Sequence, residues 1–207
     1  MKVLLVNGSP NAKGCTYTAL REVASCLEKE GVETQIFQIG RKPISGCIAC
    51  MKCKETGKCV FDDIVNEFGE LAKTVDGFVF GSPVYFASAA GAMTAFMDRA
   101  FFSSDWNAFY LKPAATVVSA RRAGTTATFD QMNKYFTICQ MPIISSSYWN
   151  MVHGFTPEDV RQDLEGLQVM RNLGRNMAWF LRCKEAAAKA GVPMPEREEQ
   201  IFTHFIR

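Results

Sequence analysis

Short apolar runs alternate along the chain with longer segments whose apolar residues recur at helical spacing. The runs predict five strands, at residues 3–6, 32–39, 77–81, 114–119 and 141–144. The helical spacing predicts helices over 19–27, 64–72, 87–102, 129–139 and 157–189. The first run is apolar at every position, which is typical of a parallel strand buried on both faces. The alternation predicts an α/β fold: a doubly wound, five-stranded parallel sheet with helices on both faces and a helical extension at the C-terminal end.

We expect one domain over residues 1–190 and a polar C-terminal tail over 191–207. Residues 77–97 contain no charge and are long enough to span a membrane. However, Gly81, Ser82 and Pro83 interrupt this stretch near its start, and the residues before them have the pattern of a buried strand. We therefore predict a strand, a loop and a helix here, and no membrane span.

Composition narrows the class of protein further. The 207 residues are 48% hydrophobic and carry 23 basic against 21 acidic side chains, a net charge of +2. A near-balanced chain of this kind is globular and lacks the basic excess that nucleic-acid binding requires. Only five residues lie between the initial Met-Lys and Gly8, too few for a signal-peptide core, so we expect a cytoplasmic protein. In that reducing compartment, clustered cysteines indicate metal or redox chemistry rather than disulfides.

The segment between the first strand and the first helix has the character of an anion site. It reads Gly-Ser-Pro-Asn-Ala-Lys-Gly-Cys-Thr over residues 8–16, and a helix N-terminus behind it presents free N–H groups. The segment lacks the G-x-G-x-x-G of dinucleotide sites, and Gly14 is followed by Cys15 rather than the lysine of a nucleoside-triphosphate loop. A monoester phosphate held by neutral donors is one interpretation, and a polar turn without a ligand is the other.

Three loops together resemble a known family. The opening V-N-G-S-P-N, the segment G-S-P-V-Y-F at 81–86 and the segment S-A-R-R-A-G-T-T at 119–126 resemble the NAD(P)H-dependent FMN reductase branch of the flavodoxin-like flavoproteins. The resemblance covers residues 1 to about 150. It implies a flavodoxin-like sheet with strand order 2-1-3-4-5 and a bound FMN at the carboxyl ends of the strands.

The same resemblance assigns residues to the flavin. It places a first group around the phosphate: Ser9, Asn11, Cys15 and Thr16. It places a second group along the isoalloxazine ring and its polar edge: Pro83, Val84, Tyr85, Phe86, Ser119, Arg121, Gly124 and Thr125. Aromatic and proline surfaces suit a flat ring, and an arginine would favour the negative charge of the reduced flavin.

Half of the eight cysteines fall within thirteen residues, at Cys47, Cys50, Cys53 and Cys59, in a loop inserted after the second strand. The spacing of the first three cysteines matches that of bacterial ferredoxins, whereas the fourth comes slightly later. The whole motif resembles that of iron–sulfur flavoproteins, which hold a 4Fe-4S cluster beside FMN. Free or redox-active thiols and a zinc site are the alternatives that the spacing leaves open.

The implied function is an oxidoreductase in which FMN takes hydride from NAD(P)H and passes electrons to a quinone, an azo or nitro compound, a flavin or the cluster. The flavin performs the chemistry, so no catalytic side chain is expected. One alternative is an electron-transfer protein with no small substrate, and another is a flavin-loaded sensor. The resemblance also implies a homodimer or tetramer that pairs through the helix around Gly91 to Ala100. Apolar side chains there suit such a contact: Met93, Phe96, Met97, Phe101 and Phe102.

Overall fold

A computed structural model describes residues 1–205 of the chain and contains six strands and seven α-helices in that range. The strands are β1 (Lys2–Asn7), β2 (Glu33–Gln38), β3 (Gly77–Tyr85), β4 (Ser88–Ala89), β5 (Ala114–Ala120) and β6 (Met151–His153). The helices are α1 (Cys15–Lys29), α2 (Lys52–Thr56), α3 (Ile64–Ala72), α4 (Gly91–Ser103), α5 (Thr125–Ile138), α6 (Pro157–Gln162) and α7 (Leu164–Lys189). A short 3-10 helix, Trp106–Ala108, follows α4. The last two residues of the predicted tail lie outside the described residues.

The sheet is parallel apart from one short hairpin. Its strand order is β2-β1-β3-β5-β6, and β4 pairs antiparallel with the end of β3. With β4 set aside, this is the predicted 2-1-3-4-5 order. The uncharged stretch at 77–97 consists of β3, the hairpin and the start of α4, as predicted. Within residues 1–205, no helix is both long enough and apolar enough to cross a membrane.

Two predicted elements need correction. The fifth strand lies at 151–153, whereas the predicted segment 141–144 makes only a single bridge, between Ile143 and Ala114. Pro142 has no N–H to donate, and the chain then leaves the sheet through the exposed Tyr148 and Trp149 before it returns. The helix predicted over 157–189 is two helices, because the Asp163 side chain accepts a hydrogen bond from Gly166 N and so begins a new one.

A hydrophobic layer on each face of the sheet supports the strands. On the face of α3, α4 and α5, the layer is a network of phenylalanine rings around Phe68 and Phe80, with ring centroids 5.1 to 6.3 Å apart. On the opposite face, α1 and α7 cover the sheet with aliphatic side chains. α7 approaches α1 closely at Gly174, where an added Cβ would lie 2.8 Å from the Cβ of Cys26. The strands are thereby held rigidly, and their carboxyl ends meet at one edge.

Candidate functional site

The loops that follow β1, β3 and β5 meet at the carboxyl ends of these neighbouring parallel strands. We call this region the loop edge: residues 8–16, 82–90 and 119–125. The hydroxyls of Thr16 and Ser119, both buried, lie 2.7 Å apart and join the first loop to the third. A Cβ placed on Gly124 would lie 2.6 Å from the Cα of Ala87, so the second and third loops are also in close contact. The structure therefore brings the three predicted loops together.

The first loop leaves hydrogen-bond donors free at the start of α1. Its N-cap residue, Gly14, makes no side-chain capping bond, so the first N–H groups of the helix have no side-chain acceptor. The Ser9 hydroxyl accepts a bond from Asn11 N at 3.1 Å, which leaves its proton for another acceptor. Burial raises the pKa of the Cys15 thiol, so this group is neutral, and its S–H donates to the carbonyl of Gly154 at 3.7 Å. The donor set fits a phosphate monoester.

Two residues that the sequence analysis did not identify also shape this loop. Gln38, at the end of β2, donates to the carbonyl of Ser9 at 2.6 Å and accepts from Asn7 at the same distance. Arg41 follows β2 and donates to the carbonyl of Pro10 and to the side chain of Asn11 at 3.0 and 3.3 Å. Arg41 adds a positive charge to a site for which only neutral donors were predicted. Its position just after a strand that neighbours β1 was the only indication in the sequence.

The second loop is a tight hairpin that projects from the end of β3. Tyr85 pairs with Ser88, and the two residues between them, Phe86 and Ala87, have φ angles of 51° and 57°. These angles are those of a type I′ turn, which matches the twist of the strands. The Ser88 hydroxyl and the N–H of Ala89 both donate to the side chain of Gln131 on α5, at 2.7 and 3.0 Å. Phe86 is fully exposed at the tip and Tyr85 is exposed beside it, whereas Pro83 and Val84 are half-buried.

The third loop carries an exposed charge, but its two ends are buried. Arg121 lies in solvent, while Ser119 and Thr125, at the two ends of the loop, are buried. Gly124 has a φ of 93° and begins α5 without a side-chain cap, so a second helix N-terminus opens at the same edge. In the described part of the chain, the buried side chain of Asn150, which precedes β6, has no hydrogen-bond partner at either polar atom. The three loops thus offer apolar and aromatic side chains beside polar backbone and side-chain groups, a combination that fits a flavin ring.

The cysteine loop, residues 47–59, is built differently. It contains no buried residue, and its one helix, α2, is short. Ala49, Met51 and Gly57 have positive φ angles of 52°, 60° and 73°, which turn the loop back on itself. The four predicted ligands line one small cavity of about 20 Å³: Cys47, Cys50, Cys53 and Cys59. The four cysteines therefore border the same small cavity.

The thiols do not adopt the geometry of a metal site. Across residues 1–205, no group of three or more His, Cys, Asp and Glu side chains is arranged to bind a metal ion. All eight cysteines are free thiols, and burial raises the pKa of the Cys53 thiol. The cavity has room for about one water molecule. Four thiolates suit iron and sulfide chemically, but a cluster requires this loop to open around it.

The carboxyl end of the cysteine loop is anchored to the body of the domain. Asn66 on α3 accepts from Cys59 N at 2.9 Å and donates to the carbonyl of Cys59 at 3.0 Å. Arg99 on α4 donates to the Cys59 sulfur at 3.2 Å and forms an ion pair with Asp63. Burial alone would lower the pKa of Arg99, but its bonds to Asp63 and Cys59 outweigh this and raise it above its ordinary value. Sequence analysis missed both anchoring residues.

Comparisons with known proteins agree with this description. A family model described as NADPH-dependent FMN reductase matches residues 1–156. An iron–sulfur flavoprotein of Methanocaldococcus jannaschii is 33% identical over 86% of this chain and 96% of its own length. One of Archaeoglobus fulgidus is 28% identical over 87% of this chain and 97% of its own.

Solved structures support the fold. A flavodoxin from the domain Archaea superposes with a TM-score of 0.58 at 15% identity, covering 88% of this chain and 99% of that one. RosB, solved with a bound flavin-phosphate intermediate, gives 0.68 at 14% identity and covers 99% and 92% of the two chains. The predicted flavodoxin-like fold and the predicted family resemblance are both confirmed.

Proposed function

The chain belongs to the NADPH-dependent FMN reductase family and is a flavin oxidoreductase, and on that premise we propose that FMN bound at the loop edge takes hydride from NAD(P)H and passes the electrons on. The acceptor would be a quinone, an azo or nitro compound, a flavin or an adjacent 4Fe-4S cluster. The observation that carries the proposal is the meeting of three loops at one edge, where the uncapped start of α1 lies beside the Thr16–Ser119 contact. Bound FMN would carry out the hydride and electron transfers, and the protein would hold and orient its ring.

The first loop would hold the flavin phosphate. Ser9, Asn11 and Thr16 would supply neutral side-chain donors, and Cys15, the first residue of α1, would supply its backbone N–H, because its thiol is bonded to Gly154. A helix N-terminus favours an anion. Arg41 would neutralise part of the phosphate charge from the β2 side. Because its guanidinium already bonds to two residues of this loop, it also holds the loop in place. These contacts support binding of a dianionic monoester.

The second and third loops would hold the ring. Pro83, Val84, Tyr85 and Phe86 present apolar surface to it, and the backbone of Ser119, Gly124 and Thr125 would bond its polar edge. Arg121 lies in solvent at this edge and would favour the negative charge of reduced flavin. The Asp63-paired Arg99 is too deeply buried for that role.

The cysteine loop would hold a 4Fe-4S cluster on Cys47, Cys50, Cys53 and Cys59. Two observations support this: the four thiols line one cavity, and the matched relatives are named iron–sulfur flavoproteins. Zinc or free, redox-active thiols are the alternative states of the same loop. The cluster would serve one-electron transfer, whereas hydride transfer moves two electrons at once.

A second candidate function is an electron-transfer protein with no small-molecule substrate of its own. The exposure of Cys47 and Cys50 favours it, because a cluster held there would lie at the surface, where a redox protein can approach it. The two functions differ in one measurable property: only the enzyme oxidises NAD(P)H at a steady rate with a small acceptor.

The experiment that tests the proposal is an absorption spectrum of protein purified without oxygen, with iron, acid-labile sulfide and FMN assayed on the same sample. We expect flavin bands, a broad sulfur-to-iron absorption and equal amounts of iron and sulfide. NADH and NADPH oxidation with a quinone is then followed at steady state. Flavin without iron, after reconstitution has also failed, would refute the cluster. Absence of FMN binding after incubation with the free cofactor would refute the whole proposal.

Assembly and location are further proposals. We propose a homodimer or tetramer. Of the five α4 residues first suggested as its contact, Met93, Phe96, Met97 and Phe101 are buried in the chain's own core, and Phe102 is half-buried. Exposed aromatic side chains offer a better surface: Tyr85 and Phe86 at the hairpin, Tyr148 and Trp149 before β6, and Phe155 after it. Light scattering would contradict this if it gave the monomer mass. The division into a domain over 1–190 and a tail, and a cytoplasmic location, also stay predictions.

A further inference from the structure

Arg99 is a charged residue in the interior of the domain. It lies near the end of α4, only 1% exposed, and is the bulkiest of the fully buried side chains. A buried charge is costly unless it is paired and all of its donors find acceptors. A guanidinium has five N–H donors, and for Arg99 the structure supplies an acceptor for each of them.

The acceptors of Arg99 lie on both sides of the cysteine loop. Two N–H groups bond to the Asp63 carboxylate at 2.7 and 2.8 Å. One bonds to the carbonyl of Ser45 at 3.3 Å, two residues before Cys47, and one to the carbonyl of Phe61 at 3.4 Å, two residues after Cys59. The fifth, on Nε, bonds to the Cys59 sulfur at 3.2 Å. Arg99 therefore ties the two ends of the cysteine loop to α4.

The two sides of the Arg99 guanidinium bind different partners: the terminal nitrogens bind Asp63, and Nε binds Cys59. Its terminal nitrogens form a bidentate pair with Asp63, which fixes the plane of the group. The Asp63 carboxylate is itself fixed, because it also caps α3 by accepting from Val65 N at 3.1 Å. Because the plane of the guanidinium is fixed in this way, its Nε–H is directed at the sulfur of Cys59. A lysine could satisfy Asp63, but all three of its N–H donors are on one nitrogen, so it has no second nitrogen to place against the sulfur.

We propose that Arg99 is a positioning residue for the iron–sulfur site: it fixes Cys59 as the anchored ligand, and its Nε–H, donated to the Cys59 sulfur, raises the reduction potential of the bound cluster. The inference rests on the proposed 4Fe-4S cluster. When the cluster gains one electron, supplied by flavin that NAD(P)H has reduced, its sulfurs become more negative. A hydrogen bond to one of them stabilises that reduced state, and hydrogen bonding to the sulfurs is known to help set cluster potentials.

The test compares the midpoint potential of the cluster in the wild type and in Arg99→Lys, by a redox titration followed by electron paramagnetic resonance. Arg99→Lys keeps the charge and a bond to Asp63 but loses the N–H···S bond. We expect the equilibrium to shift about tenfold toward the oxidised cluster, equal to 59 mV for one electron. Lys54→Met is the matched control, because it removes a charge from the cysteine loop and no bond to sulfur. It should shift the potential less than Arg99→Lys does.

A second measurement needs no cluster. Trypsin cleaves after Lys52, Lys54 and Lys58, which all lie in the cysteine loop. In iron-free protein, Arg99→Lys and Arg99→Gln should speed this cleavage at least tenfold, because the two ends of the loop lose their bonds to Arg99 and the bond of Lys54 to the Phe102 carbonyl is left to link the loop to α4. FMN binding should stay unchanged and shows that the domain is folded. If these variants do not fold, Asp63→Asn must still speed the cleavage. Asparagine keeps the helix cap but weakens the pair that orients Arg99.

The outcomes separate this inference from the proposed function. A wild-type protein that takes up no iron refutes the cluster. It also refutes the part of the inference that concerns the reduction potential. A wild type that loads iron, together with an Arg99→Lys protein of unchanged potential, overturns the inference alone. Unchanged trypsin cleavage in all three variants would show that Arg99 does not fix the loop.

Discussion

The loop edge and the cysteine loop are joined by helix α4, yet they are held in place by different means. The loop edge continues the strands of a rigid sheet, and its loops contact one another through buried groups such as Thr16 and Ser119. The cysteine loop has no buried residue and is attached by a few side-chain bonds, from Arg99 and Asn66 outside it and from its own Lys54 to the carbonyl of Phe102. The first site is shaped before its ligand arrives. The second has a cavity too small for its proposed ligand and must be completed by it, as metal binding often completes a small fold.

The largest expected effect is the loss of iron from the cysteine loop while the loop edge still binds FMN. Cys50→Ser should remove the iron while leaving FMN affinity within twofold of the wild type, because the thiolate is a cluster ligand and the loop edge lies on other segments. Iron and sulfide assays together with FMN titration measure both. Cys183→Ser, at another exposed cysteine, is the control and should keep its iron. Loss of FMN in Cys50→Ser would show that the two sites are coupled.

The next effect tests the close contact within the loop edge. Gly124→Ala places a Cβ 2.6 Å from the Cα of Ala87 at a φ of 93°, so the second and third loops must separate. We expect FMN affinity to fall at least tenfold, measured by quenching of flavin fluorescence, with iron content unchanged. Gly191→Ala is the matched control: its φ is 76°, but nothing lies within 4 Å of the new Cβ. Equal FMN affinity in both variants would mean that the contact has no part in the site.

A smaller effect tests the bond between the first and third loops. Thr16→Val removes the hydroxyl that lies 2.7 Å from Ser119 and one proposed phosphate donor. We expect about a fivefold loss of FMN affinity, because one such hydrogen bond contributes about 1 kcal/mol. Thr116→Val is the control, since it also removes one buried side-chain bond, to Asn133 at 2.8 Å, on a strand that leads to the same edge. It should lower stability without weakening FMN binding.

The smallest effect concerns strain at the loop edge. Ala87 has a φ of 57°, a conformation that glycine adopts without steric cost. Ala87→Gly should therefore raise the free energy of unfolding by about 0.5–1 kcal/mol, measured by urea denaturation. Ala90→Gly, at an ordinary φ of −53°, should instead lower it by about as much or more. If both variants were destabilised alike, the hairpin would not be strained at Ala87.

Sequence patterns predicted the central strands well because these are buried on both faces. The first four predicted strands overlap β1, β2, β3 and β5, and only β3 extends well beyond its predicted end, into the hairpin. Of the two edge strands, β2 was predicted from its alternating pattern, which suits a more exposed strand. The other was misplaced because the apolar segment 141–144 has a stronger pattern than the short β6. Pro142 and the exposed aromatic residues after it show why the chain pairs at 151–153 instead.

The loops of the candidate site were predictable for a different reason. Each carries its distinctive residues directly after a strand, so the position of the strand places them. Arg41 and Arg99 have no such motif. Arg99 was hidden in an apolar helix, although it shares the buried face of α4 with Phe96 and Ser103 at helical spacing. A lone arginine on an apolar helix face indicates a buried partner, but only the folded structure shows that the partners are Asp63 and Cys59.

The hairpin tip has a consequence for how this protein can change over evolutionary time. Phe86 is fully exposed, so substituting it removes no packing from the folded domain. The strands that hold the tip are secured separately, through Gln131 and the pairing of Val84 with Ala89. A lineage can therefore replace this side chain many times without losing the fold or the proposed phosphate contacts. If the ring lies at the loop edge, Phe86 is the position where new electron acceptors can be accommodated by single mutations.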